Sequence, residues 1–590
     1  MVPRETPSIT HAQTSKEVSE MARDNSLSVY YASYLTYEEL TNSLHCLQQQ
    51  FPKLVKVCSA GKSRQQRELW VATVTNFDTG AAEDKPAMYI DGNHHALEVT
   101  GSSVCVYTIA YLASEFGEDE NITDLLNTRA FYILPRVSPD GAEICLTTPE
   151  YLRSTPRPWP LERLDDGVYP EDIDGDGKIL RMRQKEPHGE FKISERDPRL
   201  MVRRMPDETG GEYYRVYTEG RLRNFDGIEV KTATSKWGLD LNRNYPINWG
   251  GEAKQPGSGP YPLSEPETRA VAEFVAGHKN ISAVMSYHTT GGVILRPRCT
   301  VPDLDIPAHD LEMYRALGRR GTHFTGYPTK SIFEGFTRDK RKPSIGSFLD
   351  FSYDHLGLIS FATELWDLNK RAGIPDRDAS TWGALSELEE EEDNLKVLKW
   401  LDENLGEQGF CNWREFDHPE LGAVEIGGVD LKSVFGNPPE KFLREECHKN
   451  MLFTLSVAKA SPMVQVTPLE TRTLGDGVYS IGVVVANVGY MPTSGSQQAV
   501  STKVARSVEA SVCLPEGATL VDSRPVIDLG HIPGRALSSG SLSVSGNHKK
   551  ATWLVDISNC ADVDSIDVTV DAYRGGKKRV CCKIPEPKAG

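Results

Sequence analysis

The stretch GNHHALE (92–98) places His94, His95 and Glu98 within five residues, directly after the apolar run AMYI (87–90). Imidazole nitrogen and carboxylate oxygen are donors that zinc takes readily. His95 and Glu98, three residues apart, fit a strand end turning into a helix, and the pair His94 and Glu98 stands as the alternative. A catalytic zinc site uses three protein ligands and leaves a position for water. A third ligand is therefore expected from another strand end. His288 in VMSYHTTGG closes an apolar strand and runs into a Gly-Gly turn, which makes it the candidate. Water activation also needs a general base. Glu364 in ISFATELW lies inside an apolar strand, where a carboxylate is costly unless it has a purpose. The plainer reading of Glu364 is an ion pair with an arginine.

These residues need a frame that brings distant strand ends together. YEELTNSLHCLQQQF (37–51) and SSVCVYTIAYLASEF (102–116) have helical spacing. ELWVATVTNF (68–77), PAMYIDGN (86–93), RAFYILPRV (129–137), ISAVMSYH (281–288) and GLISFATELW (357–366) read as strands. The alternation predicts an α/β fold on a parallel or mixed sheet. Residues 155–230, rich in Pro, Gly and charge, interrupt it and read as a surface insertion with hairpins. Residues 383–405 predict a strongly acidic helix, read as a solvated face, with cation binding by Glu389–Asp393 as the alternative. After SPMVQVTP (461–468), short Val/Ile/Ser/Thr runs alternate with Gly and Pro turns, which predicts an all-β sandwich.

Composition narrows the classes. With 590 residues, 39% apolar and 25% charged, the chain is globular and exceeds what one core usually serves. A net charge of −17 argues against nucleic acid as the partner. No run of 18 apolar residues occurs, so no membrane-spanning helix is expected. The first residues carry no signal-peptide core, which predicts a cytoplasmic protein, or a secreted or periplasmic one if a leader has been removed. Eleven cysteines without a framework read as free thiols, with one disulfide among Cys513, Cys560, Cys581 and Cys582 as the exception to check. DIDGDG (172–177) begins like a calcium loop through Asp172, Asp174 and Asp176. Its twelfth position is Arg183 where a glutamate belongs, so the run is either a Ca2+ site or an Asp/Gly turn.

GNHHALE, LDLNRNY, SEPETRAV, SYHTTGG and FATEL occur in this order. Together they resemble the motifs of the zinc metallocarboxypeptidase family, the carboxypeptidase A-like enzymes, over roughly residues 30–370. The resemblance implies a mixed eight-stranded sheet flanked by helices. It selects His95, Glu98 and His288 as ligands of one Zn2+ per chain, with His94 as a neighbour. It makes Glu364 the base that takes the proton from the attacking water and passes it to the leaving amine. Arg243 and Asn242 match the pair that holds a substrate's terminal carboxylate, suited to the planar fork of arginine. Arg153, 13 residues after Asp140 of SPDG, matches the arginine that polarises the scissile carbonyl.

Three departures accompany the match. Leu97 stands between the ligands where many relatives carry arginine. The substrate-capping tyrosine has no counterpart in KRKPSIGS (340–347), which offers Lys342 or Ser344. The floor of the side-chain pocket falls at Leu349, beside Asp350. An apolar floor suits an apolar C-terminal residue, whereas Arg338, Lys340, Arg341 and Lys342 nearby suit an acidic one. The expected layout is a disordered segment 1–25, a catalytic domain 26–460 with its insertion 155–230, and a sandwich 461–590. The expected activity is hydrolysis of the C-terminal bond of peptides or proteins. An amidase, deacylase or cell-wall peptide hydrolase on the same site is the first rival, and a non-catalytic peptide binder is the second.

Overall fold

A computed structural model describes residues 32–160, 165–376, 386–521, 524–536, 546–560 and 562–585. The segment 1–25 and the first residues of the acidic helix, 383–385, lie outside them. Eight strands form the central sheet: β1 (Val55–Lys62), β2 (Glu68–Val74), β3 (Ala87–Gly92), β4 (Ala130–Leu134), β5 (Ile281–Thr289), β6 (Val293–Arg296), β7 (Thr329–Ser331) and β8 (Ile359–Leu365). Their order is β1-β2-β4-β3-β5-β8-β6-β7. The middle pairs β4–β3, β3–β5 and β5–β8 are parallel, while β1–β2, β2–β4 and β6–β8 are antiparallel. The mixed sheet inferred from the alternating pattern is therefore present.

Every residue of β3, β4 and β5 is buried. Parallel strands covered on both faces need such continuous apolar runs. Met88 and Ile90 face a core shared with the helices Thr100–Ser114, Ala308–Thr325 and Glu440–Lys459. Tyr89 faces the opposite core, with Val271 and Val275 of the helix Pro266–Gly277. Gly92 is required by close approach, because a Cβ there would lie 2.5 Å from the carbonyl carbon of Gly101.

The insertion is less detached than its composition predicts. Its strands Arg181–Lys185, Phe191–Ile193, Met201–Arg203 and Tyr214–Thr218 join Cys411–His418 and Gly422–Gly428 in one six-stranded sheet. The acidic helix presents the solvated face expected of it, with Glu389, Glu390 and Glu392 exposed, and is paired as well. It runs Glu387–Leu405 behind a capping box of Ser386 and Glu389, and its acids face the insertion's arginines. Arg196 meets Glu392 at 2.8 Å and Arg199 meets Asp402 at 2.7 Å. The run is thus a counter-charge to the insertion, which a one-dimensional charge count cannot reveal.

The C-terminal part forms two antiparallel sheets, one built on Val478–Asn487 and His548–Asp556, the other on Glu509–Cys513, Ser565–Asp571 and Lys577–Lys583. Ile481, Val483 and Trp553 from the first pack against Val568 and Val570 from the second, giving the expected sandwich. All eleven cysteines are free, so the disulfide considered among the last four is absent. Cys513 and Cys581 each pair with Asp567 from opposite sides, a full strand apart, and Cys582 turns inward while Cys581 is exposed. The sandwich docks through Arg574, whose guanidinium donates to Leu356 O and Gly357 O just ahead of β8.

Candidate metal centre and active site

Three neighbouring strands deliver the candidate ligands and base at their C-terminal ends, where open α/β sheets bind ligands. His288 lies within β5, in register with Glu364 of β8, and Tyr287 is in register with Gly92 of β3. After Gly92 the chain turns through Asn93, whose φ of 65° is a conformation asparagine tolerates. Its Nδ2 donates to His95 O and Ala96 O, which fixes the turn that aims His95 and Glu98 inward.

His95 Nδ1 lies 2.7 Å from Glu98 Oε1 and 3.2 Å from His288 Nδ1, and His288 Nδ1 lies 3.0 Å from Glu98 Oε2. Two nitrogens bound ~2.05 Å from one tetrahedral zinc would sit ~3.3 Å apart. The observed spacing therefore fits a zinc ion shared by these three residues. The outer faces of the ligands are held as well. His95 Nε2 faces Asp240 Oδ1 at 3.2 Å. His288 Nε2 faces Ser286 Oγ at 3.3 Å, and Ser286 donates to Asp91 Oδ1 at 2.7 Å. Glu98 Oε2 also accepts the backbone N–H of Thr289. Partners of this kind fix ring orientation and leave each Nδ1 free to bind metal.

His94 is excluded as a ligand. Its buried ring turns to Tyr245, with Nε2 2.9 Å from the phenol, and packs on Phe348. Burial, followed by the proximity of His288, holds it well below the usual imidazole range, so it is a neutral core residue.

Arg153 reaches the cluster, its Nε donating to Asp240 Oδ2 at 2.9 Å and its Nη1 standing 3.4 Å from Glu98 Oε1. Burial and the charge of Glu98 push the Glu364 carboxyl up to about 7, while His288, Arg153 and Arg243 pull against that rise. Both arginines are therefore electrostatically close to Glu364. Arg243 donates to Asn242 O, and Asn242 Oδ1 accepts from the N–H of Phe348. Leu349 follows in the chain and packs with Val293, Leu295 and Ala362. His95, Glu98, His288 and Arg153 thus meet at one end of the sheet, with Glu364 in register beside His288.

A zinc carboxypeptidase family model matches residues 40–382, which holds every one of these residues. The chain belongs to the zinc carboxypeptidase family. A second match, to a domain of unknown function, spans residues 463–583 and so coincides with the sandwich. Carboxypeptidase A2 of Rattus norvegicus is 25% identical over 57% of this chain and 63% of its own length. Carboxypeptidase A6 of Mus musculus is 25% identical over 58% and 62%. The chain thus spans less than two thirds of the length of these curated relatives. The crystal structure of thrombin activatable fibrinolysis inhibitor aligns over 73% of this chain and 75% of that one, with 19% identity and a TM-score of 0.42.

Sequence reasoning gave no role to three residues of this zinc carboxypeptidase site. Asp240 joins His95 to Arg153, and its only signal was the acid two residues before Asn242. Ser286 was marked only by alternation with His288. Asn437 had no signal at all. It lies beyond the family match, donates to Leu97 O at 2.8 Å and accepts from Thr100 N at 3.1 Å, pinning the ligand turn from outside.

The other acidic group, Asp172, Asp174 and Asp176, does form a cluster. Arg414 bridges Asp174 and Asp176 at 2.7 Å each, so a protein cation already occupies its open side. Arg183, at the loop's twelfth position, pairs with Glu425.

Proposed function

We propose that the chain is a zinc-dependent carboxypeptidase that removes an apolar residue from the free C-terminus of a peptide. The observation that carries this reading is the convergence of His95 Nδ1, Glu98 and His288 Nδ1, with Glu364 in register beside His288. Zinc held by these three would supply a Lewis acid to the scissile carbonyl. Arg243 and Asn242 hold the terminal carboxylate, the arginine through its planar fork. Arg153 donates to the carbonyl oxygen as charge develops there. Glu364 takes the proton from water and returns it to the leaving amine nitrogen.

The apolar preference rests on the surroundings of Leu349. Val293, Leu295 and Ala362 pack on it, with Ile332 and Phe336 at the edge. Two of the four nearby cations already stand beside acids. Lys340 pairs with Glu334 at 3.1 Å and Arg341 with Asp339 at 2.9 Å, which favours the apolar floor over the acidic alternative. The test is a set of short peptides ending in Phe, Leu, Glu or Lys, each as free acid and as amide, with and without a chelator. Chelator-sensitive release of Phe or Leu from the acids alone is expected. Equal cleavage of the amides would remove the carboxylate-binding role of Arg243 and point to an amidase.

A further inference from the structure

A groove continues from the metal turn. Leu97, between the ligands His95 and Glu98, lines both a cavity of about 1060 Å³ and an adjoining one of about 370 Å³. Tyr151, two residues before Arg153, lines the smaller cavity. Val434 lines the larger, and its carbonyl accepts from the indole of Trp366, two residues beyond Glu364. Leu97 is thus the residue through which the ligand turn borders both cavities, and a peptide whose C-terminal residue lay against Leu349 and Arg243 would reach this groove by passing Arg153 and Leu97.

Its smaller part is basic in a chain of net charge −17. Lys178, Arg181 and Lys432 line it. Their hydrogen-bond acceptors are neutral: Lys178 donates to Cys411 Sγ, Arg181 to Thr218 Oγ1 and Lys432 to Thr148 O. Asp430 is the one acid lining it among the described residues. Its oxygens already accept from Lys432 N and from the Ser433 hydroxyl. Lys178 and Arg181 come from the insertion, and Lys432 from the turn after Gly422–Gly428, beyond the family match.

We propose that this groove binds acidic side chains of the substrate two and three residues to the N-terminal side of the scissile bond. The proposal rests on the carboxypeptidase reading and deepens it. Lysine and arginine held only by neutral acceptors gain charge-assisted bonds when a carboxylate arrives. The complementary field also steers acidic peptides toward the metal turn.

The experiment uses the zinc-loaded full chain and peptides ending in Phe that carry Glu, Gln or Lys at those two positions. A charge-assisted hydrogen bond predicts about tenfold higher kcat/KM for Glu than for Gln, with Lys lower still. High salt should shrink the ratio. In the double variant Arg181→Gln, Lys432→Gln the Glu-to-Gln ratio should fall toward one. Binding of the same peptides to the Glu364→Gln protein, read by fluorescence anisotropy, should follow the same order. Equal hydrolysis and equal binding of Glu and Lys peptides would overturn the groove assignment and leave the carboxypeptidase reading intact. Acid-selective binding without hydrolysis of any peptide by the unmutated chain would overturn the catalytic reading alone.

Discussion

Among the described residues two clusters offer three metal-ligating side chains each, and their surroundings separate them. His95, Glu98 and His288 are buried at the ends of two inner strands, 3–5% exposed. The outer ring nitrogens are engaged by Asp240 and Ser286, while the inward atoms face one another at 2.7–3.2 Å, Glu98 Oε2 accepting the Thr289 amide as well. Asp172, Asp174 and Asp176 sit on an insertion loop. Their oxygens accept that loop's own amides, Gly175 and Gly177 onto Asp172 and Lys178 onto Asp176, and the guanidinium of Arg414. Ligand count does not distinguish the two. What distinguishes them is whether the donor atoms are already satisfied.

The largest effect is expected within the first cluster's reach. Glu364→Gln should lower kcat by roughly 10²- to 10⁴-fold, the range of general acid–base contributions. Zinc content, measured by atomic absorption, should be unchanged. Retained turnover would show that the carboxylate beside His288 is structural.

Next, Asp240→Asn should weaken zinc binding about 10- to 100-fold in chelator competition, because it loosens the ring orientation of His95. Arg414→Ala should leave zinc affinity unchanged in the same assay. If Arg414→Ala mattered as much as Asp240→Asn, the two clusters would not be independent.

Calcium probes the second cluster directly. Since Arg414 fills its open side, millimolar calcium should move the unmutated protein's Tm by less than about 1 °C, the result for a ligand without a site on the native state. A shift of several degrees would place a cation where the guanidinium now lies.

A pH-dependent effect of a few degrees concerns a carboxylate outside both clusters that is buried without a cation. Glu267 is 1% exposed, its Oε1 accepts from Arg64 N, and its Oε2 has no partner. Burial pushes its carboxyl up from 4.5 to about 7. Because the folded value lies above the unfolded one, the group's contribution is fully present below about 4.5. It is lost as pH rises through about 7. Glu267→Gln keeps the neutral form at every pH. It should therefore be the more stable protein at pH 8, by at most about 3 kcal/mol and a few degrees in Tm, with the gap closing toward pH 4.5. A gap that does not close at low pH would mean the glutamine acts through packing instead.

Much of the site was legible because its chemistry sits at strand ends. A polar residue closing an apolar run stands out, as His288 and Glu364 do, and HxxE spacing is local. The strand runs of β3, β5 and β8 were equally plain, because strands buried on both faces carry no polar alternation. Less was legible where a role depends on a distant partner. The acids of Glu387–Leu405 read as a solvated face, which they are, but their pairing with Arg196 and Arg199 of the insertion could not be read from the chain. The cysteines read as a candidate disulfide until strand pairing set Asp567 between Cys513 and Cys581.

By itself the sequence determined the α/β alternation, the trailing sandwich, the ordered motifs and which residues are candidate ligands and base, since these depend on residue type and short-range spacing. Tertiary structure alone decided that His94 turns into the core, that Asp240 ties His95 to Arg153, that Asn437 braces the ligand turn from 340 residues away, and that Arg414 occupies the acidic loop. The reason is physical. Whether a buried donor is free or satisfied depends on which atoms the fold brings within hydrogen-bonding distance, and chain position does not encode that.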